Sequence, residues 1–383
     1  MCRFVLNRFR VAEPRWDAAD CEFLNEAGAL AFHRTLAGYE PTPLVGLPEA
    51  ARQLGIGTLS VKDESRRFGL KAFKALGAGY AMHRWLARNA AAGPFTFCAA
   101  TDGNHGRAVA WTARRLGHSA VIYMPADSAQ ARVAGIRTEG ARVVLVEGTF
   151  DDCVRRCAED AQALGMQAVS DTAYPGYVDI PRWILLGYQT LFREMEGVLH
   201  QPAPAGPRVD VVVLQAGVGG LAAAGAAYYA RRYGAARPRL VCVEPIEAAC
   251  CLESAEAGER RTASGSQRTI MAGLSCGEVS PVAWPILRDA VDLFVAVSDA
   301  YAEEAMRLYA REGIVSGESG AAGLAALLAL RRSPGLRDAA RALGLGSGTR
   351  VLALNTEGDT DPDGYRRVVG RTSLEVSQAG GSR

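Results

Sequence analysis

The sequence lacks several features that mark special classes of protein. Its longest apolar runs, such as GAAGLAALLAL, are too short to span a bilayer. Its first residues, MCRFVLNRFRVAEPRW, contain no hydrophobic region typical of a signal peptide. The net charge is only +2, so no basic excess favours a nucleic acid or a membrane surface as a partner. We therefore expect a cytoplasmic protein that binds neither.

The nine cysteines are scattered along the chain and include no Cys-x-x-Cys pair. Cys153 and Cys157 lie one helical turn apart, but no nearby Cys/His pair completes a site, so we expect no metal. What is present is an ordinary composition over 383 residues, of which 49% are apolar and 22% are charged. A chain of this length can bury a sizeable core and form roughly two or three domains.

Short β-branched runs alternate with helical patterns, which indicates parallel sheets covered by helices. The first series of predicted strands is FTFCAA (95–100), SAVIYMP, RVVLVEG and QAVSD. The second series follows the proline-rich run QPAPAGPR (201–208) and is VDVVVLQ (209–215), RLVCVEP, LFVAVSD and RVLALNTEG. The earlier strand TLSVKDES (58–65) is expected to join the second series.

These patterns predict an α/β protein with two open, twisted, mostly parallel sheets. Because the strand at 58–65 belongs with the second series, the larger domain is discontinuous. The predicted units are a large domain of residues 1–78 and 205–370, a small domain of residues 79–204 and a flexible tail of residues 371–383.

Two lysines, Lys71 and Lys74, lie in the otherwise apolar stretch FGLKAFKALG (68–77). Apolar surroundings lower the pKa of a lysine and make its amine a nucleophile towards carbonyl groups. Taken alone, the stretch fits a surface helix with two solvated lysines at least as well. A reactive lysine becomes the better interpretation only if a partner group is present elsewhere in the chain.

Two glycine-containing turns offer such partners, because each follows a predicted strand and opens a predicted helix. In LQAGVGGLAA, backbone N–H groups at a helix start could hold a phosphate, although a purely structural tight turn explains the pattern equally well. A dinucleotide-binding site is a third interpretation of the same turn. Such a site needs an acidic residue about 20 residues after the glycines, and Glu244 lies somewhat farther along the chain than that. In ATDGNHGRAVAW, Asp102, Asn104 and His105 lie at a sheet edge, where α/β proteins bind ligands, although simple helix capping also produces this turn.

A reactive lysine, a phosphate cradle and an amide-bearing turn together are what pyridoxal 5′-phosphate requires. At these residues the sequence resembles the fold-type II pyridoxal-phosphate enzymes, the superfamily of tryptophan synthase β and threonine dehydratase. Within them it resembles the diaminopropionate ammonia-lyases from AGYEPTPL (37–44) to NTEGDTDPDGY (355–365). SDTAYPGYVDIPRWILLGYQTL (170–191) and IMAGLSCGE (270–278) are segments similar to that branch. Lys71 departs from the family, in which this position is usually Asn.

The resemblance implies a role for each matching residue and places the active site between the two domains. Lys74 would hold the cofactor as a Schiff base, and Asp102 and Asp171 would be catalytic acidic residues. The cofactor would also contact Asn104, Gly217, Val218, Gly219, Gly220, Asn355 and Thr356. The substrate would contact Thr101, Asp102, Gly103, His105 and Asp171. Cys250 and Cys276 would match a cysteine pair of the family near the active site.

The resemblance further implies α,β-elimination of D- or L-2,3-diaminopropionate to pyruvate and ammonia, carried out by a homodimer. Asp102 and Asp171 would favour a substrate that carries two amines. Three alternatives remain open at this point: a serine/threonine dehydratase-like lyase, an enzyme that replaces the β-substituent of another alanine derivative, and a non-catalytic, cofactor-binding regulatory relative. An inward-pointing Lys71 would favour an anionic or neutral β-substituent.

Overall fold

The computed structural model describes residues 2–14, 16, 24, 28–89, 93–101, 103–148, 150–199 and 207–380. Its strands are β1 (Arg3–Leu6), β2 (Leu44–Gly46), β3 (Thr58–Asp63), β4 (Thr96–Ala100), β5 (Ser119–Pro125), β6 (Arg142–Val146), β7 (Gln167–Ala168), β8 (Val211–Gln215), β9 (Arg239–Pro245), β10 (Leu293–Val297) and β11 (Arg350–Asn355). Its helices are α1 (Gly28–Thr35), α2 (Pro48–Leu54), α3 (Lys74–Arg88), α4 (Asn104–Arg115), α5 (Gln130–Thr138), α6 (Phe150–Leu164), α7 (Asp179–Arg193), α8 (Gly220–Tyr233), α9 (Cys250–Ala257), α10 (Trp284–Ala290), α11 (Asp299–Arg311), α12 (Ala322–Arg332), α13 (Arg337–Ala342), α14 (Pro362–Val369) and α15 (Ser373–Gly380).

The larger sheet has seven strands in the order β1-β10-β9-β8-β11-β3-β2. The five inner strands are parallel, whereas β1 and β2 pair antiparallel at the two edges. Every residue of β8 and of β10 is buried. Burial of both faces explains why these strands are near-continuous apolar runs, as the helices cover the sheet on both sides.

The smaller sheet has four parallel strands in the order β6-β5-β4-β7. Helix α4 leaves β4 and packs on the sheet, while α3 packs against both α4 and α7. A continuous apolar core joins these helices to α8 of the larger sheet, and Ile184 and Leu191 on α7 are buried in it. The two sheets therefore share one packed interior near the start of α3.

The prediction of two mostly parallel α/β sheets is confirmed, and β3 pairs with β11 as expected. The sequence analysis missed β1 and β2, because both are short edge strands with only partly buried residues. The segment expected as a loose tail contains α15, whose Val376 is fully buried. The described helices include none that is both long enough and apolar enough to cross a bilayer.

Candidate active site

A pocket opens where the carboxyl ends of β4, β8 and β11 meet the first turns of α3, α4 and α8. This is the edge at which open α/β sheets bind ligands. Its wall contains these predicted site residues: Lys74, Thr101, Gly103, Asn104, His105, Asp171, Gly217, Val218, Gly219, Gly220 and Thr356. Asp102 lies outside the described residues, so the part of the prediction that concerns it stays a prediction.

Lys74 is the first residue of α3, and its Nζ donates to Oδ2 of Asp171 over 2.7 Å. The Lys74 side chain is 18% exposed and that of Asp171 22%, so this ion pair is largely withdrawn from water. Burial alone would lower the pKa of Lys74, but the nearby Asp171 carboxylate more than offsets it and the pKa is raised. Burial would raise the pKa of Asp171, yet the ammonium of Lys74 lowers it. The pair therefore rests as ammonium and carboxylate.

Lys71 points away from this pocket. Its Nζ pairs with Oδ1 of Asp359 over 2.8 Å, and its side chain is 42% exposed. The backbone turns between the two lysines, since Lys71 has a φ of 60° and Phe73 N–H donates to the Thr356 carbonyl over 3.2 Å. The interpretation in which Lys71 points inward is thus wrong, because the left-handed residue sends the two side chains in different directions.

A buried ionic cluster anchors the chain ahead of these lysines. Arg67 donates to Glu64 over 2.7 Å and to Glu194 over 2.8 Å, and Lys62 donates to Glu194 over 2.6 Å. Arg67, Lys62 and Glu64 are each at most 1% exposed. The cluster connects β3 with Glu194, the residue after α7. It therefore fixes the position of the segment that leads from β3 to Lys74. Removing one partner of such a buried group strongly destabilises a fold.

The glycine turn at residues 217–220 has the geometry of an anion site. Gly219 has a φ of 88°, and α8 begins at Gly220 without a side-chain cap. Its first N–H groups therefore remain available at the positive end of the helix. A Cβ atom on Gly217 would lie 2.8 Å from Sγ of Cys276, so this position also needs glycine. The turn fits the phosphate of pyridoxal 5′-phosphate.

The loop after β4 is shaped by Thr101, whose hydroxyl accepts from the N–H groups of Gly103 over 3.0 Å and Gly106 over 3.2 Å. His105 is 6% exposed, and its Nε2 lies 2.7 Å from the carbonyl oxygen of Val169. Because a carbonyl only accepts, Nε2 carries the proton and Nδ1 is an acceptor. Burial lowers the pKa of His105, which keeps the ring neutral. Nδ1 has no partner among the described residues.

Asn104 is held by Glu357, a pocket residue that the sequence analysis did not select. Nδ2 of Asn104 donates to Oε2 of Glu357. Oε1 of Glu357 accepts from the Ser319 N–H over 2.9 Å, and Glu357 is 2% exposed. This carboxylate spans from the larger sheet to the loop of the smaller one and places a buried negative charge on the same pocket wall as Asp171.

Of the two residues expected at the end of β11, the structure brings only Thr356 to the pocket wall. Asn355 is fully buried, and its amide donates to Asp63 over 2.8 Å and to the Val315 carbonyl over 2.9 Å. Thr356 Oγ1 instead accepts from Gln215 over 3.2 Å. The alternation of side chains along a strand explains the difference, because adjacent residues face opposite sides.

The cysteines expected near the site flank the glycine turn. Sγ of Cys250 donates to the Gly217 carbonyl over 3.6 Å, and Cys276 lies on the pocket wall. Both are reduced cysteines. The pocket wall also carries residues that sequence reasoning missed: Phe73, Arg132, Phe150, Tyr188, Gln215, Ser319 and Glu357. Glu357 and Tyr188 lie inside segments that the sequence analysis had already described as similar to the family. Their place in those segments was the one sequence feature that could have marked them as site residues.

Residues 35–348 match the family model described as pyridoxal-phosphate dependent enzyme. Diaminopropionate ammonia-lyase of Escherichia coli K12 is 41% identical over 361 residues, covering 89% of this chain and 90% of that protein. The chain belongs to the diaminopropionate ammonia-lyase family of pyridoxal-phosphate dependent enzymes. Its fold-type II architecture follows from this membership, and the expected family is confirmed.

Solved structures of the Escherichia coli diaminopropionate ammonia lyase resemble this chain throughout. The holo form has a TM-score of 0.87 at 38% identity and covers 96% of both chains. A complex with D-serine has a TM-score of 0.85 at 38% identity, covering 96% of this chain and 97% of that one. Since the family binds pyridoxal phosphate and the local geometry fits it, the cofactor expectation is confirmed.

Proposed function

We propose that the chain is an ammonia-lyase that converts 2,3-diaminopropionate and water into pyruvate and two molecules of ammonia. The observation that carries the proposal is the Lys74–Asp171 pair, at 2.7 Å, in a pocket that also contains an uncapped helix start at Gly220. The first feature suits an amine that bonds to an aldehyde and transfers protons, and the second suits a phosphate.

The residues present fit pyridoxal 5′-phosphate at both ends. When bound, the cofactor supplies the aldehyde that captures the substrate amine and the conjugated ring that withdraws electrons from Cα. Lys74 would hold it covalently, while the amides at residues 217–220 would bind its phosphate. Asn104 would face the ring hydroxyl, oriented by Glu357. Thr356 would offer a neutral hydroxyl to the ring nitrogen, which suits elimination because the leaving group itself accepts the electron pair.

Proton transfer falls to residues on the pocket wall. The Nζ of Lys74, as a free amine, would take the proton from Cα on one side of the substrate. Asp171 is placed to stabilise the resulting ammonium, since it already accepts from that atom. Asp102 is proposed to act on the other side, which would extend the reaction to the D-isomer. The loop amides of Gly103 and His105, with Thr101, would bind the substrate carboxylate.

The two carboxylates of the pocket wall would favour a substrate with a second ammonium group, although Lys74 and Arg132 on the same wall are positively charged. Asp171 and Glu357 both lie on the pocket wall, and each carboxylate accepts a hydrogen bond from another residue of the protein. The β-ammonium of diaminopropionate would find complementary charge there, whereas the hydroxyl of serine needs none. A serine/threonine dehydratase-like activity is therefore the second candidate, supported by the D-serine complex of the Escherichia coli relative.

The decisive test begins with the lysines, of which the chain has only three, at positions 62, 71 and 74. Reduction of the holoenzyme with borohydride, followed by peptide mapping, is expected to find the cofactor on Lys74 alone. Lys74→Ala should abolish both the label and turnover. Lys71→Arg is the matched control and should retain both. A label on another lysine, or an active Lys74→Ala enzyme, contradicts the assignment.

A substrate panel then separates the candidate functions. Pyruvate and ammonia are measured with D- and L-diaminopropionate, serine, threonine and β-chloroalanine. We expect the highest kcat/KM with a diaminopropionate isomer, and a ranking led by serine or threonine would favour the dehydratase reading. No turnover with any of them, despite bound cofactor, would favour a non-catalytic regulatory relative. We also propose a cytoplasmic homodimer, which light scattering and cell fractionation can test.

A further inference from the structure

Tyr188, on α7, carries a buried hydroxyl that has no hydrogen-bond partner of acceptable geometry among the described residues. The residue is 1% exposed and lies on the wall of the pocket. Buried polar atoms are nearly always paired, so one that is not calls for a physical explanation. A pocket that receives a ligand supplies one, because the partner arrives with the ligand.

Two glycines place the Tyr188 ring at the start of α3. A Cβ atom on Gly77 would lie 2.5 Å from Cε1 of Tyr188, and one on Gly187 would lie 2.2 Å from the Leu76 carbonyl oxygen. Helices α3 and α7 therefore meet backbone to backbone, and no larger residue fits at either point. The ring is also packed on Phe73, with 4.7 Å between the ring centres. Its position is thus fixed by the surrounding backbone.

The ring lies close to both anchors of the proposed cofactor site. Nζ of Lys74 is 6.0 Å from the ring centre. Cε2 lies 3.8 Å from the position that a Cβ atom of Gly220 would occupy. Gly220 is the first residue of α8, at the uncapped helix start. The hydroxyl is carried by the carbon next to Cε2, so it lies within a few bonds of the atom that approaches the glycine turn.

The hydroxyl is a donor across the physiological pH range. Burial raises the pKa of Tyr188, and the charge of Lys74 together with the approach of its amine to the hydroxyl lowers it only in part, so the net shift is upwards. The amine donates to Asp171, so it cannot accept the proton of the phenol. A neutral phenol at this place can donate its proton to an anionic oxygen. The backbone N–H groups of the glycine turn and the phenol could then donate hydrogen bonds to the same anionic group.

We propose that the Tyr188 hydroxyl is a further donor of the phosphate site and forms a hydrogen bond to a phosphate oxygen of bound pyridoxal 5′-phosphate. The inference deepens the proposed function and rests on its cofactor site. Tyr188 is a binding residue in this proposal and takes no proton from the substrate. The proposal also explains why glycine is required at positions 77 and 187, since both allow the helices to approach and bring the hydroxyl to the pocket.

The test compares two cofactor forms in the apoenzyme. Spectroscopic titration measures Kd for pyridoxal 5′-phosphate and for pyridoxal, which lacks the phosphate. Tyr188→Phe should raise Kd for the phosphate form about tenfold, as expected for one hydrogen bond to a charged group, and leave Kd for pyridoxal within about twofold. The 31P NMR signal of the bound cofactor should also shift in the variant.

Tyr309→Phe is the matched control. Tyr309 is fully buried and its hydroxyl also lacks a partner among the described residues, but it packs in the core of the larger sheet, away from the pocket wall. Its removal should change neither Kd nor the 31P signal. Tyr188→Phe keeps the aromatic ring, and an apoenzyme unfolding midpoint equal to that of Tyr309→Phe shows that the fold is intact.

The outcomes separate this inference from the proposed function. Failure of the wild-type chain to bind pyridoxal 5′-phosphate would refute the proposed function. Normal binding by the wild type together with an unchanged Kd and 31P signal in Tyr188→Phe would refute only the role of Tyr188. An equal loss of affinity for pyridoxal and its phosphate would also refute it, because the hydroxyl would then act elsewhere on the cofactor.

Discussion

The carboxylate of Asp171 lies 2.7 Å from the amine of Lys74, although 97 residues separate the two in the chain. Asp171 follows the short edge strand β7 of the smaller sheet, whereas Lys74 begins α3. The contact exists because α3 packs against α7 along the shared core. It sets the charge state of the amine on which the proposed chemistry depends.

Replacement of Asp171 should destabilise the apoenzyme in a pH-dependent way. Asp171→Asn leaves the Lys74 ammonium largely buried without its partner, and we expect a loss of about 2 kcal/mol in the free energy of unfolding at pH 7. The folded pKa of Asp171 is depressed. Its stabilisation is therefore complete above the unfolded value, about pH 4, and is lost as the pH falls towards the folded value.

Urea unfolding at pH 7, 5 and 3 measures this effect. The difference between wild type and Asp171→Asn should be constant from pH 7 to 5 and smaller at pH 3. Asp179→Asn is the control, because Asp179 pairs with Arg88 at 2.6 Å but both side chains are more than half exposed. That change should cost less than about 0.5 kcal/mol. Equal losses in the two variants would argue against a special role for the buried pair.

Glu357→Gln should change substrate preference. The substitution removes one buried negative charge from the pocket and allows the amide of Asn104 to rotate, since glutamine can donate as well as accept. We expect kcat/KM for diaminopropionate to fall about tenfold more than kcat/KM for serine, because only the former carries a β-ammonium. Steady-state kinetics on both substrates in one preparation provides the internal control. A uniform loss on both would assign Glu357 to cofactor orientation alone.

Gly187→Ala should separate α3 from α7. The new Cβ atom would lie 2.2 Å from the Leu76 carbonyl oxygen, and backbone atoms cannot yield as a flexible side chain can. We expect a loss of about 1–3 kcal/mol and weaker cofactor binding, since Lys74 begins the displaced helix. Gly335→Ala is the control, because its Cβ atom would have no neighbour within 4 Å. Denaturant midpoints equal for both variants would mean that the close helix contact is not required.

Lys71→Asn should leave catalysis unchanged. The Lys71 side chain pairs with Asp359 outside the pocket, and its φ of 60° lies in the left-handed region that asparagine tolerates better than lysine. The relief of strain and the loss of an ion pair whose lysine is itself 42% exposed are both small, so stability should change by less than about 0.5 kcal/mol. A change in the ratio of kcat/KM between diaminopropionate and serine would show that the lysine reaches the substrate after all.

Local sequence was sufficient to predict the elements around the site. Apolar runs such as residues 211–215 identified the buried strands, because burial on both sheet faces demands such runs. The glycine turn at 217–220 was recognisable because Gly219 adopts a left-handed conformation that favours glycine. Family-like segments then supplied Lys74, which the structure places on the pocket wall.

What the sequence by itself determined, then, is the set of buried inner strands with the helices that follow them, and the chemical types available at their ends. The tertiary structure alone decided that Asp171 meets Lys74, that Lys71 faces Asp359, that Thr356 rather than Asn355 reaches the pocket, and that Glu357 and Tyr188 belong to its wall. The reason is physical. Periodicity and turn chemistry are local properties, whereas which side chains share a pocket depends on how two sheets and three helix starts pack together over long separations in the chain.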